Sequence, residues 1–236
     1  MLLGTAPTGY PSSGIKLIGS AQDAINAGIK NDYNDATSAT GTVTITQVGA
    51  NGDKINISVS CLNTAGNTAV VDLGTYTKVS GDSTVTLVAT AIKNLINAGT
   101  ITHGFSATNS SGAITITAPK RLGTSINDVD PTVTIVGTAL ATKLAFSGGT
   151  ASSQAIWYYH ISEFFRIQPK GSLYVGIFSS YDVNNIQVMQ DFSGGKIRQM
   201  GVFRDNTFAT GDMTSIQTVC NTLSGLHKPL SVIYAG

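Results

Sequence analysis

Charge is scarce in this chain. Asp, Glu, Lys and Arg make up 11% of its 236 residues, well under half of the ~25% usual for a globular domain, and the formal net charge is +1. Without clustered Lys and Arg there is nothing to grip a phosphate backbone, so nucleic-acid binding is not expected. Two cysteines, Cys61 and Cys220, are too few for a disulfide scaffold and are expected as free thiols. The three histidines, His103, His160 and His227, stand apart, with no Cys or acidic partners at ligand spacing; neither a metal nor a cofactor is expected. No apolar run approaches the ~20 residues of a membrane span, so no membrane insertion is expected. The opening MLLGTAPTGYPSSG has no basic start of the signal-peptide kind.

Catalytic signatures are equally thin. Serines abound, but no G-x-S-x-G elbow presents one as a nucleophile, and no catalytic residue is expected. The acids are too dispersed to nominate a pair for general acid/base work. GYPSSGIK at 9–16 has two glycines five apart and a nearby lysine, but no strand precedes it and no Ser or Thr follows the lysine. An extended arm over residues 1–14 is the better reading. His160 is expected mid-helix as a partly buried structural histidine.

What the chain does have comes in two styles. From 41 to 150 the β-branched residues alternate with Thr and Ser in GTVTITQV, DKINISVS, GAITITA and PTVTIVG, the period of half-buried antiparallel strands. One helix is expected among them, capped by Asp82, with Val85, Val88, Ile92, Leu95 and Ile96 on one stripe and Gly99 as its stop. After 151 helices and strands take turns. A helix over 154–167 ends at Pro169 and Gly171, and the continuous apolar run SLYVGIF reads as a strand buried on both faces. A helix from Asp182 stops at Gly194–Gly195 and leads to the strand IRQMGVF; a helix capped by Asp212 then leads to LSVIYA. GIKLIG and SAQDAINAG near the start share this style. The expected fold class is therefore α/β, with a largely parallel sheet in a discontinuous domain of residues 15–40 and 151–236. A β-rich module over 41–150 is inserted at small-residue junctions.

Residues 155–182 hold eight of the seventeen aromatics, including the only Trp. On a helix, Trp157, Ile161, Phe164 and Phe165 share an inner face that would cover Leu173, Val175 and Ile177. Tyr158 and Tyr159 point partly elsewhere and suit a partner's surface. Glu163 and Arg166 form a local pair, or would pair across a subunit interface. Leu2, Leu3 and Tyr10 of the arm complete the candidate interface residues.

YYHISEFFRIQPKGSLYVGIF followed by IQVMQDFSGGKIRQMGVF resembles the contractile tail sheath proteins of bacteriophages and related injection systems. The residues that carry the likeness are His160, Ile161, Phe164, Phe165, Pro169, Gly171, Leu173, Tyr174 and Val175. The Thr/Val strands, GDS cap and Ala/Ile-rich helix of the β-rich segment resemble a module found within many such sheaths. The resemblance implies a structural, non-enzymatic subunit of the virion tail that assembles in the host cytoplasm as a homo-oligomer of stacked helical rings. It also implies a tail tube protein, baseplate proteins and a tail-terminator protein as partners, and terminal arms that add strands to neighbouring sheets. Sheath proteins continue past a strand like PLSVIYAG, so the chain is expected to be a fragment or a short variant. Two other readings come from the residues alone: a small α/β enzyme with an appended β-rich binding module, and a carbohydrate- or surface-binding role for 41–150.

Overall fold

In this computed structural model, residues 1–63, 65–203 and 208–235 are described, the side chains of Phe203 and Ala235 excepted. In chain order, β1 (Leu2–Leu3), β2 (Ile15–Ile18) and α1 (Ala21–Asn26) come first. β3 (Thr40–Gln47), β4 (Lys54–Leu62), β5 (Thr68–Thr77), α2 (Val85–Ala98) and the single turn α3 (Thr100–His103) follow. β6 (Ser106–Ser110), β7 (Ala113–Thr117), a 3₁₀ segment at Lys120–Ile126, β8 (Thr132–Val136) and β9 (Leu140–Ser147) come next. The chain finishes with α4 (Ser153–Ile167), β10 (Leu173–Phe178), α5 (Asn184–Phe192), β11 (Gln199–Phe203), α6 (Thr210–Gly225) and β12 (Ser231–Ala235). Gly236 lies outside the described residues.

Two compact units result, one of Met1–Asp32 with Ser153–Gly236 and one of Tyr33–Ser152. The first junction thus falls at 32/33, upstream of the small-residue stretch 36–41. The class is mixed α/β, but the sheets are small and mostly antiparallel. A largely parallel sheet is not what the described strands form: β1–β10 and β11–β12 pair parallel, whereas β10 pairs antiparallel with β2. Strand direction at β2 depends on which edge of β10 it meets, and no local sequence pattern encodes that.

The 33–152 unit stacks two antiparallel sheets, β6-β7-β3-β9 and β5-β4-β8, around one core with α2. The alternation does what its period demands. Val43 and Ile45, Ile55 and Ile57, and Ile114 and Ile116 are all buried, while the intervening Thr42, Thr44 and Thr115 lie on the other face. Val88, Ile92 and Ile96 bring α2 onto this core. Its N-cap is Thr84, whose hydroxyl accepts the Leu87 N–H at 3.2 Å, not Asp82. Asp82 instead accepts the Tyr76 hydroxyl at 2.6 Å. Three strands went unpredicted. β6 and β9 are too polar or exposed to show a period, and in β5 the alternation breaks where β4–β5 shift register between Ile57 and Ser58.

One carboxylate ties two loops of this unit together. Asp53 Oδ2 accepts the backbone N–H groups of Ala50 at 2.9 Å, Thr138 at 2.6 Å and Ala139 at 3.1 Å. Gly137 has φ 125°, and a Cβ there would sit 2.1 Å from Asp53, so glycine is required on both counts. The donated hydrogen bonds hold the Asp53 carboxyl below its usual range.

In the other unit, β1-β10-β2 lies between two apolar layers. Ile18, Val175 and Ile177 face α1 and α4 through Ala24, Trp157, Ile161 and Phe165. Ile15, Tyr174 and Phe178 pack with the cluster built by α5, α6, β11 and β12. β10 is thus covered on both faces, as its continuous apolar run requires. Burying Trp157, Ile161 and Phe165 contributes ~1.5–3 kcal/mol each. α4 closes at Gln168, whose N–H reaches the Phe164 carbonyl at 2.7 Å, and Pro169 prevents its continuation. A Cβ on Gly171 would meet the Phe164 ring at 2.9 Å, so glycine lets the chain turn tightly into β10. Asp212 does not cap α6 from the N-cap position. It sits inside the first turn, where its carboxylate accepts the Ala209 N–H at 2.9 Å. Leu226, expected on the α6 stripe, is exposed.

Gln190 is fully buried, and its amide donates to the Ile197 and Lys228 carbonyls, both at 3.0 Å. Ser193 Oγ donates to the Gln190 carbonyl at 2.9 Å and accepts the Lys196 N–H at 3.2 Å. This network fixes the approach to β11 and the turn before β12. Replacing Gln190 by Leu strands two buried carbonyls. It is expected to destabilise the fold by about 1–3 kcal/mol, read as a lower urea midpoint with an unchanged slope.

The Asp53 carboxyl titrates lower folded than unfolded, so its stabilisation is present above ~pH 3.9 and disappears as pH falls through its folded value. Asp53→Asn is expected to flatten the acid limb of the thermal midpoint measured against pH and to leave the pH dependence above ~5 unchanged.

Candidate functional site

α4 offers the most structured surface of the 1–32/153–236 unit. Its inner face is buried, Tyr158 and Phe164 are half-buried against the same core, and Ile156, Tyr159 and Ile167 face outward at 49%, 60% and 64% exposure. Those three residues recur three and eight positions apart with Glu163 and Arg166 beside them, which makes the outer face a mixed apolar and charged stripe. Arg166 Nη2 and Nε reach the same Glu163 oxygen at 2.7 and 2.9 Å. That guanidinium holds the Glu163 carboxyl below its usual range. The pair is therefore made within one helix. His160 is exposed rather than buried, and its ring meets Tyr159 edge-on with centroids 5.4 Å apart.

The arm candidates are placed differently. Residues 1–14 lie against their own unit rather than projecting. Leu2 is buried and registers with Ile177, and Leu3 is half-buried and registers with Phe178. The Tyr10 hydroxyl donates to the Val175 carbonyl at 2.9 Å, and burial pushes its phenol pKa up. Leu2, Leu3 and Tyr10 thus belong to the intrachain core as long as β1 stays in place.

β1 occupies only the end of a longer opening. Its start is tied to β11 by the Met1 amine, which donates to the Gly201 carbonyl at 2.6 Å; burial lowers that amine's pKa to about 5. Alongside Met1 a cavity of about 820 Å³ runs between Ser172–Val175 and Lys196–Gly201. Trp157, His160, Ile161 and Phe164 of α4 line it, with Leu17 and Met189. Backbone directions can be read from the bonds on either side. Ile177 N–H points to the β2 side, at Gly14, and Phe178 C=O to the β1 side, at Gly4. By alternation, the amide and carbonyl of Tyr174 point into the cavity. On β11, Arg198 C=O points to β12 and Gly201 C=O to Met1, so Gln199 also presents its backbone to the cavity. Among the described residues no strand pairs with Tyr174 or Gln199 on that side. Sequence reasoning had no signal for this opening, because it arises from how few residues β1 contains.

Little else converges. Among the described residues no three His, Cys, Asp or Glu side chains are grouped to hold a metal ion. His103 Nδ1 accepts the Phe105 N–H at 3.1 Å within its own turn, and both cysteines are free. The GYPSSGIK loop runs into strand β2, not into the helix a phosphate cradle needs. No described helix is long and apolar enough to cross a membrane. No protein-family model matches the chain, and no curated protein matches it.

Proposed function

We propose that this protein is a structural subunit of a contractile tail sheath, assembling helically around a tail tube and working by rigid-body rearrangement between copies. The observation that carries the reading is the outer face of α4. It holds Ile156, Tyr159 and Ile167 in solvent beside the Glu163–Arg166 pair, on the helix whose sequence bears the sheath resemblance. Exposed aromatic and aliphatic side chains ringed by charge are the composition of a protein interface. Low overall charge favours association in the same direction. Under this reading the β1–β10 and β11–β12 pairs are pieces of one sheath-type, largely parallel sheet. The 33–152 unit is a decoration module, and the partners are other copies, a tube protein, and baseplate and tail-terminator proteins in a virion tail.

The enzyme reading would rest on the 820 Å³ cavity, whose size suits a small ligand. Its lining includes no carboxylate, and the imidazole there, His160, leans on Tyr159 rather than on an orienting acid.

Negative-stain microscopy of the purified chain is expected to show rings, tubes or sheath-like polymers. Ile156→Asp with Tyr159→Ala should abolish them while leaving the circular dichroism spectrum unchanged. Strictly monomeric protein at high concentration would contradict the proposal.

A further inference from the structure

The cavity beside β1 has the form of a vacant strand position. One wall is the free edge of β10 at Tyr174 and the other the free edge of β11 at Gln199, and β1 already fills the adjoining rungs between them. A backbone N–H or C=O shut away from water without a partner costs ~1–3 kcal/mol. An opening walled by such groups therefore favours an occupant that supplies N–H and C=O at strand spacing. Extended polypeptide does this on both sides at once. Trp157, Ile161 and Phe164 on α4, with Met189, provide apolar contact for alternate side chains.

Charge narrows the occupant further. Lys196 and Arg198 lie at the β11 end of the opening, both exposed, and no Asp or Glu lines it. An incoming strand with an acidic residue at that end finds two cations and no repulsion, while a basic one is disfavoured. The described strands of this chain do not offer such a segment. Asp72, the acid within a strand, is engaged by Asn56 and Gly74, and Asp53, Asp82, Asp130, Asp191 and Asp212 are held in turns, caps or ion pairs.

We propose that the opening between β10 and β11 is a β-augmentation site for an extended, acidic segment of a different polypeptide. The segment's backbone pairs with Tyr174 and Gln199, and its carboxylate lies against Lys196 and Arg198. This inference stands on the 1–32/153–236 unit alone and does not depend on the sheath reading. It makes strand capture the means by which that unit recruits a partner.

Trp157 is the chain's only tryptophan and lines the site, so its fluorescence reports occupancy in the full-length protein. Acetyl-Glu-Thr-Val-Thr-Val-amide is expected to shift that emission saturably and to bind at least about tenfold more tightly than the same peptide with Lys in place of Glu. Lys196→Glu with Arg198→Glu should invert the preference, and both changes are at exposed positions that the fold tolerates. Gln199→Pro removes a cavity-facing amide and should weaken the acidic peptide. If that variant unfolds, the charge inversion still decides the matter. Equal affinity for the two peptides, or no saturable binding by either, would overturn the proposal. So would self-association abolished by the charge reversal with no peptide binding, because the occupant would then be a second copy.

Discussion

Backbone pairing along β10 organises the 1–32/153–236 unit. This strand is covered on both faces, by Trp157, Ile161 and Phe165 on one side and the α5/α6 layer on the other, so its peptide groups have little access to water except at the edges. One edge is completed antiparallel by β2 over four residues. The other is completed by β1 over two. Every buried peptide group must find a partner, and a two-residue strand leaves the rest of that edge to the cavity. The docking of the N-terminal arm, the burial of Met1 and the exposed backbone at Tyr174 all follow from this mismatch in length.

The two units solve the burial problem in different ways. In residues 33–152, alternating side chains let each strand bury one face, and a short list of polar ties closes the loops. Asp53 is the clearest, since one oxygen accepts three backbone N–H groups. In the other unit both faces of β10 are spent on packing, and the polar ties move to the helix ends, with Gln190 and Ser193 bridging three chain segments. Low charge is affordable in such a fold because its hydrogen bonds run mainly to backbone.

Local pattern made much of this readable. The stripe of Val88, Ile92 and Ile96, the alternation in β3, β4 and β7, and the aromatic inner face of α4 are local periodicities, and packing selects on them directly. Caps were misassigned at Asp82 and Asp212 because several polar residues compete within one turn, and only the folded geometry decides which oxygen meets an amide. β5, β6 and β9 lacked a clean period. The antiparallel entry of β2, the docking of Leu2 and Tyr10 onto β10, and the opening beside Met1 are long-range matters, linking residues more than 150 apart along the chain. For function, the exposed stripe of α4 and the unfilled strand position direct attention to the same kind of chemistry, contact with other polypeptides rather than turnover of a small molecule.

Amide hydrogen exchange, resolved by residue in the purified chain without partner, tests that foundation most directly. Val175 and Ile177, whose N–H groups face β2, should be strongly protected. Tyr174 and Gln199, neighbours in the same strands but facing the cavity, should exchange faster by orders of magnitude. Equal protection of all four would mean that the opening is already closed by the chain itself, and the account of a vacant strand position would be wrong.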